Sequence, residues 1–157
     1  MEDYRVGLNL VVKRAVEGKD TASGTFEASK ESYRELEEQI AGLVARAKMQ
    51  DVGAGCKLDD KTWTRIKAQL LKAAGLPSGN GPTGDATGCL TLMLTNVQKN
   101  LESLESVHKD PAQCGQTGEF KTCLRKTAAE DLLAISNDTI DSILFVEVAL
   151  KRHEEVK

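Results

Sequence analysis

The sequence predicts an all-α protein, an antiparallel bundle of four to five long amphipathic helices, and three observations predict it. Apolar residues recur at steps of three and four through several long segments, which places them on one helical face. Aromatic residues make up only 4% of the 157-residue chain and prolines number three. A core must then be assembled from Leu, Ile, Val and Ala, as in helix packing, and not from aromatic cross-strand pairs. Glycine-rich stretches separate the apolar segments and supply the breaks between helices.

The first helix is expected from Glu2 to Glu17, where Val6, Leu8, Val11, Val12, Ala15 and Val16 form a partial stripe and Gly18 is a stop. Residues 18–25 are rich in Gly, Ser and Thr, and Ser23 or Thr25 can cap the second helix. From Phe26 to Gln50 the stripe is Tyr33, Leu36, Ile40, Leu43 and Ala47, broadened by Val44, with Lys30, Arg34, Glu38 and Lys48 opposite. Such a helix is roughly 35 Å long and needs a second apolar surface to cover its stripe. A shorter helix is expected over 59–74, its inner face supplied by Trp63, Ile66, Leu70 and Leu71. The Gly- and Pro-rich stretch 76–89 reads as a flexible exposed loop. Helix returns from Leu90 to Val107 on Leu94, Val97, Leu101 and Leu104. The last helix is expected over 119–154, with Phe120, Leu124, Ala128, Leu132, Ile135, Ile143, Val146 and Leu150 in step and a kink or break at Ser136–Thr139. No internal repeat is visible, so a solenoid is disfavoured. The length fits one domain spanning 1–157.

The four cysteines, Cys56, Cys89, Cys114 and Cys123, fall in or beside loops and helix starts. Two disulfides are the favoured reading, with free thiols and a metal site as alternatives. No Cys-x-x-Cys pair is present, against the thioredoxin-like and zinc-finger patterns. Sequential pairing, Cys56–Cys89 and Cys114–Cys123, is ranked first, each closure contributing roughly 2.5 to 4 kcal/mol on chain-entropy arithmetic. Alternating helix directions argue the other way, because they gather Cys56, Cys114 and Cys123 at one end of the bundle and start Cys89 at the other.

The net charge of −3 and the interspersed signs leave no basic block to condense on a phosphate backbone, so nucleic acid is not expected as a partner. The apolar run Val6–Val12 is short, interrupted by Gly7 and Asn9 and preceded by Glu2 and Asp3, which does not make a signal peptide. No segment has the 18 to 20 apolar residues that span a bilayer. Asn137-Asp138-Thr139 is a formal glycosylation acceptor inside a helical pattern.

No catalytic set emerges. His108 reads as an exposed helix-end residue beside Lys109 and Asp110, and His153 lies in the charged tail; neither has a ligand-spaced Glu or His on its face. A Cys114–His108 pair is conceivable by proximity but vanishes if Cys114 is oxidised. Glu35, Glu37, Glu38, Glu102 and Glu105 fall on the outward sides of their stripes and read as solvated surface. The glycines of 79–88 lack the Lys-Ser/Thr ending of a phosphate-binding loop. Trp63 reads as a core anchor, with an interface hot spot as the alternative. No cofactor or metal is expected.

A small helical bundle with four cysteines resembles the plant invertase and pectin methylesterase inhibitors, but those carry an N-terminal cysteine pair and the first 55 residues here carry none. Long amphipathic helices with disulfide-held loops also resemble the helical surface antigens of parasites. The function expected is a non-catalytic protein-interaction module, secreted or displayed on a cell surface once its flanking signals are removed. It would meet a protein partner through the loop residues Ser78, Asn80, Thr83 and Asp85 and through His108, Lys109, Gln113 and Gln116. The alternatives are a cytoplasmic helical adaptor or assembly subunit, whose uncovered apolar stripe would drive self-association, and a carrier of a small apolar ligand.

Overall fold

The computed structural model describes residues 1–51, 89–110, 112, 114, 120 and 122–155. Every regular element among them is helical: α1 (Glu2–Glu17), a 3-10 turn (Ala22–Gly24), α2 (Phe26–Asp51), α3 (Cys89–Lys109) and α4 (Lys126–Glu155). Each helix touches two others in a closed ring, α1 on α2, α2 on α3, α3 on α4 and α4 back on α1. The C-terminus of α3 meets the N-terminus of α2 through His108 and Gly24, and the approach to α4 meets it through Thr122 and Phe26. Arg5 reaches Asp141, setting the start of α1 beside the middle of α4. The directions therefore alternate, and four helices pack as an antiparallel bundle.

The stripes form the core. Leu8, Val11, Val12 and Ala15 of α1 pack with Tyr33, Leu36, Ile40 and Val44 of α2, Met93, Val97, Leu101 and Leu104 of α3, and Ile140, Ile143 and Val146 of α4. Stripes of this width bury apolar surface that no single helix could cover by itself, and that burial holds the bundle together.

The α1–α2 connection is a close crossing of backbone. Gly18 ends α1, its N–H donating to the Arg14 carbonyl at 2.9 Å. A Cβ on Gly24 would lie 2.0 Å from the Gly18 oxygen, and one on Gly18 would lie 2.8 Å from the Gly24 nitrogen. Only glycine fits at either position. Thr25 caps α2, its hydroxyl accepting from the Ala28 N–H at 3.3 Å and donating to the Ala22 carbonyl at 2.8 Å.

Two expectations about the last helix need correcting. It begins at Lys126 and not at 119, because 122–125 are non-helical backbone committed to a bridge and a cap. It also runs unbroken through 136–139. Ser136 and Thr139 donate to the carbonyls of Leu132 and Ile135, at 2.8 and 2.9 Å, so their hydroxyls are satisfied without opening the helix. Cys89, the expected last residue of the loop over 76–89, opens α3 instead. The rest of that loop with Ser78, Asn80, Thr83 and Asp85, the helix expected over 59–74 with Trp63 and the Cys56–Cys89 pairing lie outside the described residues, as do Gln113, Gln116 and the side chain of His153.

Candidate functional site

Apart from Arg5–Asp141, the polar side-chain bonds described between separate elements gather at the end of the bundle where α1 turns into α2 and α3 runs out. His108 lies at their centre and is fully buried. Its Nε2 is 2.9 Å from the Gly24 carbonyl oxygen and its Nδ1 is 3.1 Å from the Tyr33 hydroxyl. A carbonyl can only accept, so Nε2 carries the proton. Burial holds the imidazole below its ordinary value of 6.5, against smaller opposing pulls from the Gly24 carbonyl and Glu27. In the neutral ring Nδ1 is then an acceptor, and the Tyr33 O–H donates to it. Burial, with Glu105 adding to it, raises the Tyr33 phenol and keeps it protonated for that role.

This arrangement ties three elements with one side chain: α2 through Tyr33, the 3-10 turn through Gly24, and α3 through His108 itself. The rings of Phe26, Tyr33 and His108 pack as a triad with centroids 5.8 to 5.9 Å apart. Lys109 lies over the outer side, its Nζ 4.7 Å from the Phe26 centroid and 2.8 Å from the Glu105 carboxylate.

The expectation that His108 is an exposed loop contact is therefore wrong. Val97, Leu101, Leu104 and His108 follow steps of four, three and four, so His108 continues the apolar stripe of α3 by a further turn. That spacing was the available signal; the charged neighbours Lys109 and Asp110 obscured it. With both ring nitrogens engaged and its surface closed, His108 has no lone pair or proton to offer a substrate.

Beside the clamp, Cys114 and Cys123 form a disulfide with Cα atoms 5.1 Å apart. Cys123 is buried and Cys114 half-buried. The bridge removes the thiol that a Cys114–His108 pair would need. It also positions Thr122, whose hydroxyl accepts from the Phe26 N–H at 3.0 Å and donates to the Glu27 carboxylate at 2.7 Å. A residue 96 positions away in sequence thus serves a first-turn amide of α2. Hydrogen bonding from Thr122, then from the backbone, holds the Glu27 carboxyl below its ordinary value. Arg125 donates to the Ala112 carbonyl at 3.0 Å, closing the loop from the other side.

Two of the glutamates read as solvated surface are half-buried. Glu37 on α2 and Glu105 on α3 face one another near Lys109. Burial, then Glu105, raises the Glu37 carboxyl, with Lys109 opposing and Glu102 assisting. Of the expected contact residues, Lys109 is exposed. Asn137 lies within α4, half-buried, with its Oδ1 enclosed and without a hydrogen-bond partner, so this triplet is not on an exposed loop.

Fold and clamp define a class: an all-helical module with a disulfide at one end, beside a buried histidine that ties α2, α3 and the turn between α1 and α2 together. Neither family models, nor curated proteins, nor solved structures give a match to this chain.

Proposed function

We propose that the chain is a non-catalytic protein-interaction module that works in an oxidising setting, secreted or displayed at a cell surface in the manner of a surface antigen or receptor ectodomain. The observation that carries this reading is the Cys114–Cys123 bridge together with the contacts it supports. The bridge closes a loop onto the helix ends through Thr122 and Arg125, which gives a rigid base for an exposed surface that includes Lys109 and Asp110. Disulfides of this structural kind persist outside the reducing cytosol. The engagement of His108 on both nitrogens supports recognition rather than catalysis as the use of this end.

Alkylation and mass mapping of non-reduced protein from its native source tests the reading. Cys114 and Cys123 should resist alkylation until a reductant is added. Free, alkylatable thiols at both positions would remove the extracellular assignment and leave the cytoplasmic adaptor.

A further inference from the structure

The outward face of α1 carries a pattern that a structural role does not require. Val6 and Leu10 are large apolar residues at 64% and 53% exposure. They are one helical turn apart, and Asp3, Val6, Leu10, Lys13 and Glu17 continue the row at steps of three and four, all exposed. That is the spacing of a coiled-coil seam. The inner face of the same helix is already buried through Tyr4, Leu8, Val11, Val12 and Ala15, so the helix has a second stripe that no described residue covers.

The charges along this seam are ordered by sign. Glu2 and Asp3 stand at its start, the apolar pair in the middle, and Lys13 and Arg14 beyond it, before Glu17 closes the row. The only ion pairs these residues make among the described residues are loose ones along the helix, Arg5 to Glu2 at 4.0 Å and Lys13 to Glu17 at 3.9 Å. Arg14 and Glu35 line one groove of about 110 Å³ between α1 and α2, with Gly7 and Leu36 among its walls, and the two do not pair with each other.

We propose that this face docks a second copy of the chain, with two α1 helices antiparallel about a two-fold axis at the level of Leu8. The register follows from the charges. Seam positions summing to 16 become opposed, so Val6 meets Leu10 and Asp3 meets Lys13, each twice, while Glu2 and Arg14 flank the seam at the same level as the partner's Arg14 and Glu2. The surface is self-complementary in both charge and apolarity, which an isologous interface demands. Gly7 lets Leu36 of α2 pack close, a Cβ there lying 3.0 Å from Leu36 Cδ2, and the partner's Leu10 would lie at the mouth of the groove. Interfaces built on a single helix pair are small and reversible, so exchange between monomer and dimer is expected. The loop end that carries the proposed partner surface stays free in this arrangement, and the inference does not depend on that reading.

Sedimentation velocity on the intact protein, from about 1 µM to about 1 mM, tests it at the affinities expected of such a contact. Two charge variants are made, one with Lys13→Glu and Arg14→Glu, the other with Glu2→Lys and Asp3→Lys, and circular dichroism checks that both remain helical. The wild type should dimerise with concentration. Each variant alone sets like charges against like at both ends and should weaken dimerisation about 30-fold. An equimolar mixture of the two restores opposite charges at both ends of the seam and should dimerise about as well as the wild type. A wild type that stays monomeric throughout overturns the proposal and leaves the face to some other occupant. Dimerisation that both variants retain, or a mixture no better than either variant, overturns it as well. If one variant fails to fold, Leu10→Asn replaces it and should abolish the dimer.

Discussion

At the scale of single residues, the Tyr33–His108 bond is the most direct test of how this end of the bundle is held. Tyr33→Phe keeps the ring and its packing against Phe26 while removing the only donor that His108 Nδ1 has in the described structure. A buried acceptor left without a partner costs about 1 to 2 kcal/mol, which urea unfolding followed by circular dichroism at pH 7.5 would resolve. An unchanged midpoint would mean that the hydroxyl and the imidazole are not bonded in solution. The sequence carried the position of His108 on the α3 stripe but not its chemistry. Burial of a histidine depends on what the facing helix brings to it, and Tyr33 is 75 residues away. Glu37 and Glu105 show the same limit. Each lies off its own helix's apolar stripe, and only the meeting of α2 with α3 brings the two carboxylates together.

Among the elements, α2 is the one whose start depends on a distant segment. Thr25 serves one of its first amides locally, whereas Thr122 serves another from across the bundle, and the Cys114–Cys123 bridge fixes the backbone that presents Thr122. Loss of a capping hydroxyl costs about 1 kcal/mol, so Thr122→Val should lower stability by about that amount while the bridge is intact. Replacing both cysteines with serine opens a loop of about ten residues, a loss of about 2.5 to 3 kcal/mol on chain-entropy arithmetic. In that background Thr122 is no longer held, and Thr122→Val should cost much less. A double-mutant cycle measured by urea unfolding would show the coupling, and additive costs would mean that Thr122 finds Phe26 without the bridge. The same segment explains why the start of α4 was misplaced by sequence periodicity. Leu124 is in step and fully buried, yet its backbone is not helical, because a buried leucine can be supplied by either conformation. The bridge and the cap decide between them. The boundaries of α1, α2 and α3 were legible to within two residues, since Gly18, Thr25 and the ends of the apolar runs are local signals.

For the whole molecule, the helical class and the packing of four helices were legible because each described stripe repeats many times and every repeat votes for helix. The clamp was not legible, because it is a single interaction that exists only when three elements meet. Its consequence at this scale is a pH dependence with a definite sign. His108 has its folded value below 6.5, so its contribution to stability is fully present above 6.5 and is lost as pH falls toward that lowered value. The charged groups near it are Glu27 at the start of α2, Glu37 further along α2, and Glu105 and Lys109 on α3. Glu37 acts in the opposite sense. Its folded value is raised above 4.5, so its favourable contribution is complete below 4.5 and lost as pH rises through the raised value. Glu27 and Glu31 are held below 4.5 and lose their contributions only at still lower pH. Acidification below 6.5 should therefore lower the urea midpoint through His108, with Glu37 opposing the fall as its carboxyl takes up a proton. His108→Gln can still donate to the Gly24 carbonyl and accept from Tyr33, but it cannot take up a proton, so its midpoint should not fall across that window and should keep only the rise that Glu37 contributes. Glu37→Gln should keep the decline and remove the partial recovery nearer 4.5. If wild type and His108→Gln fall in parallel, the imidazole is not the group that couples the fold to pH. The two-state fit at each pH decides this, because the clamp joins α2, α3 and the turn after α1, and its loss should loosen the bundle as one unit.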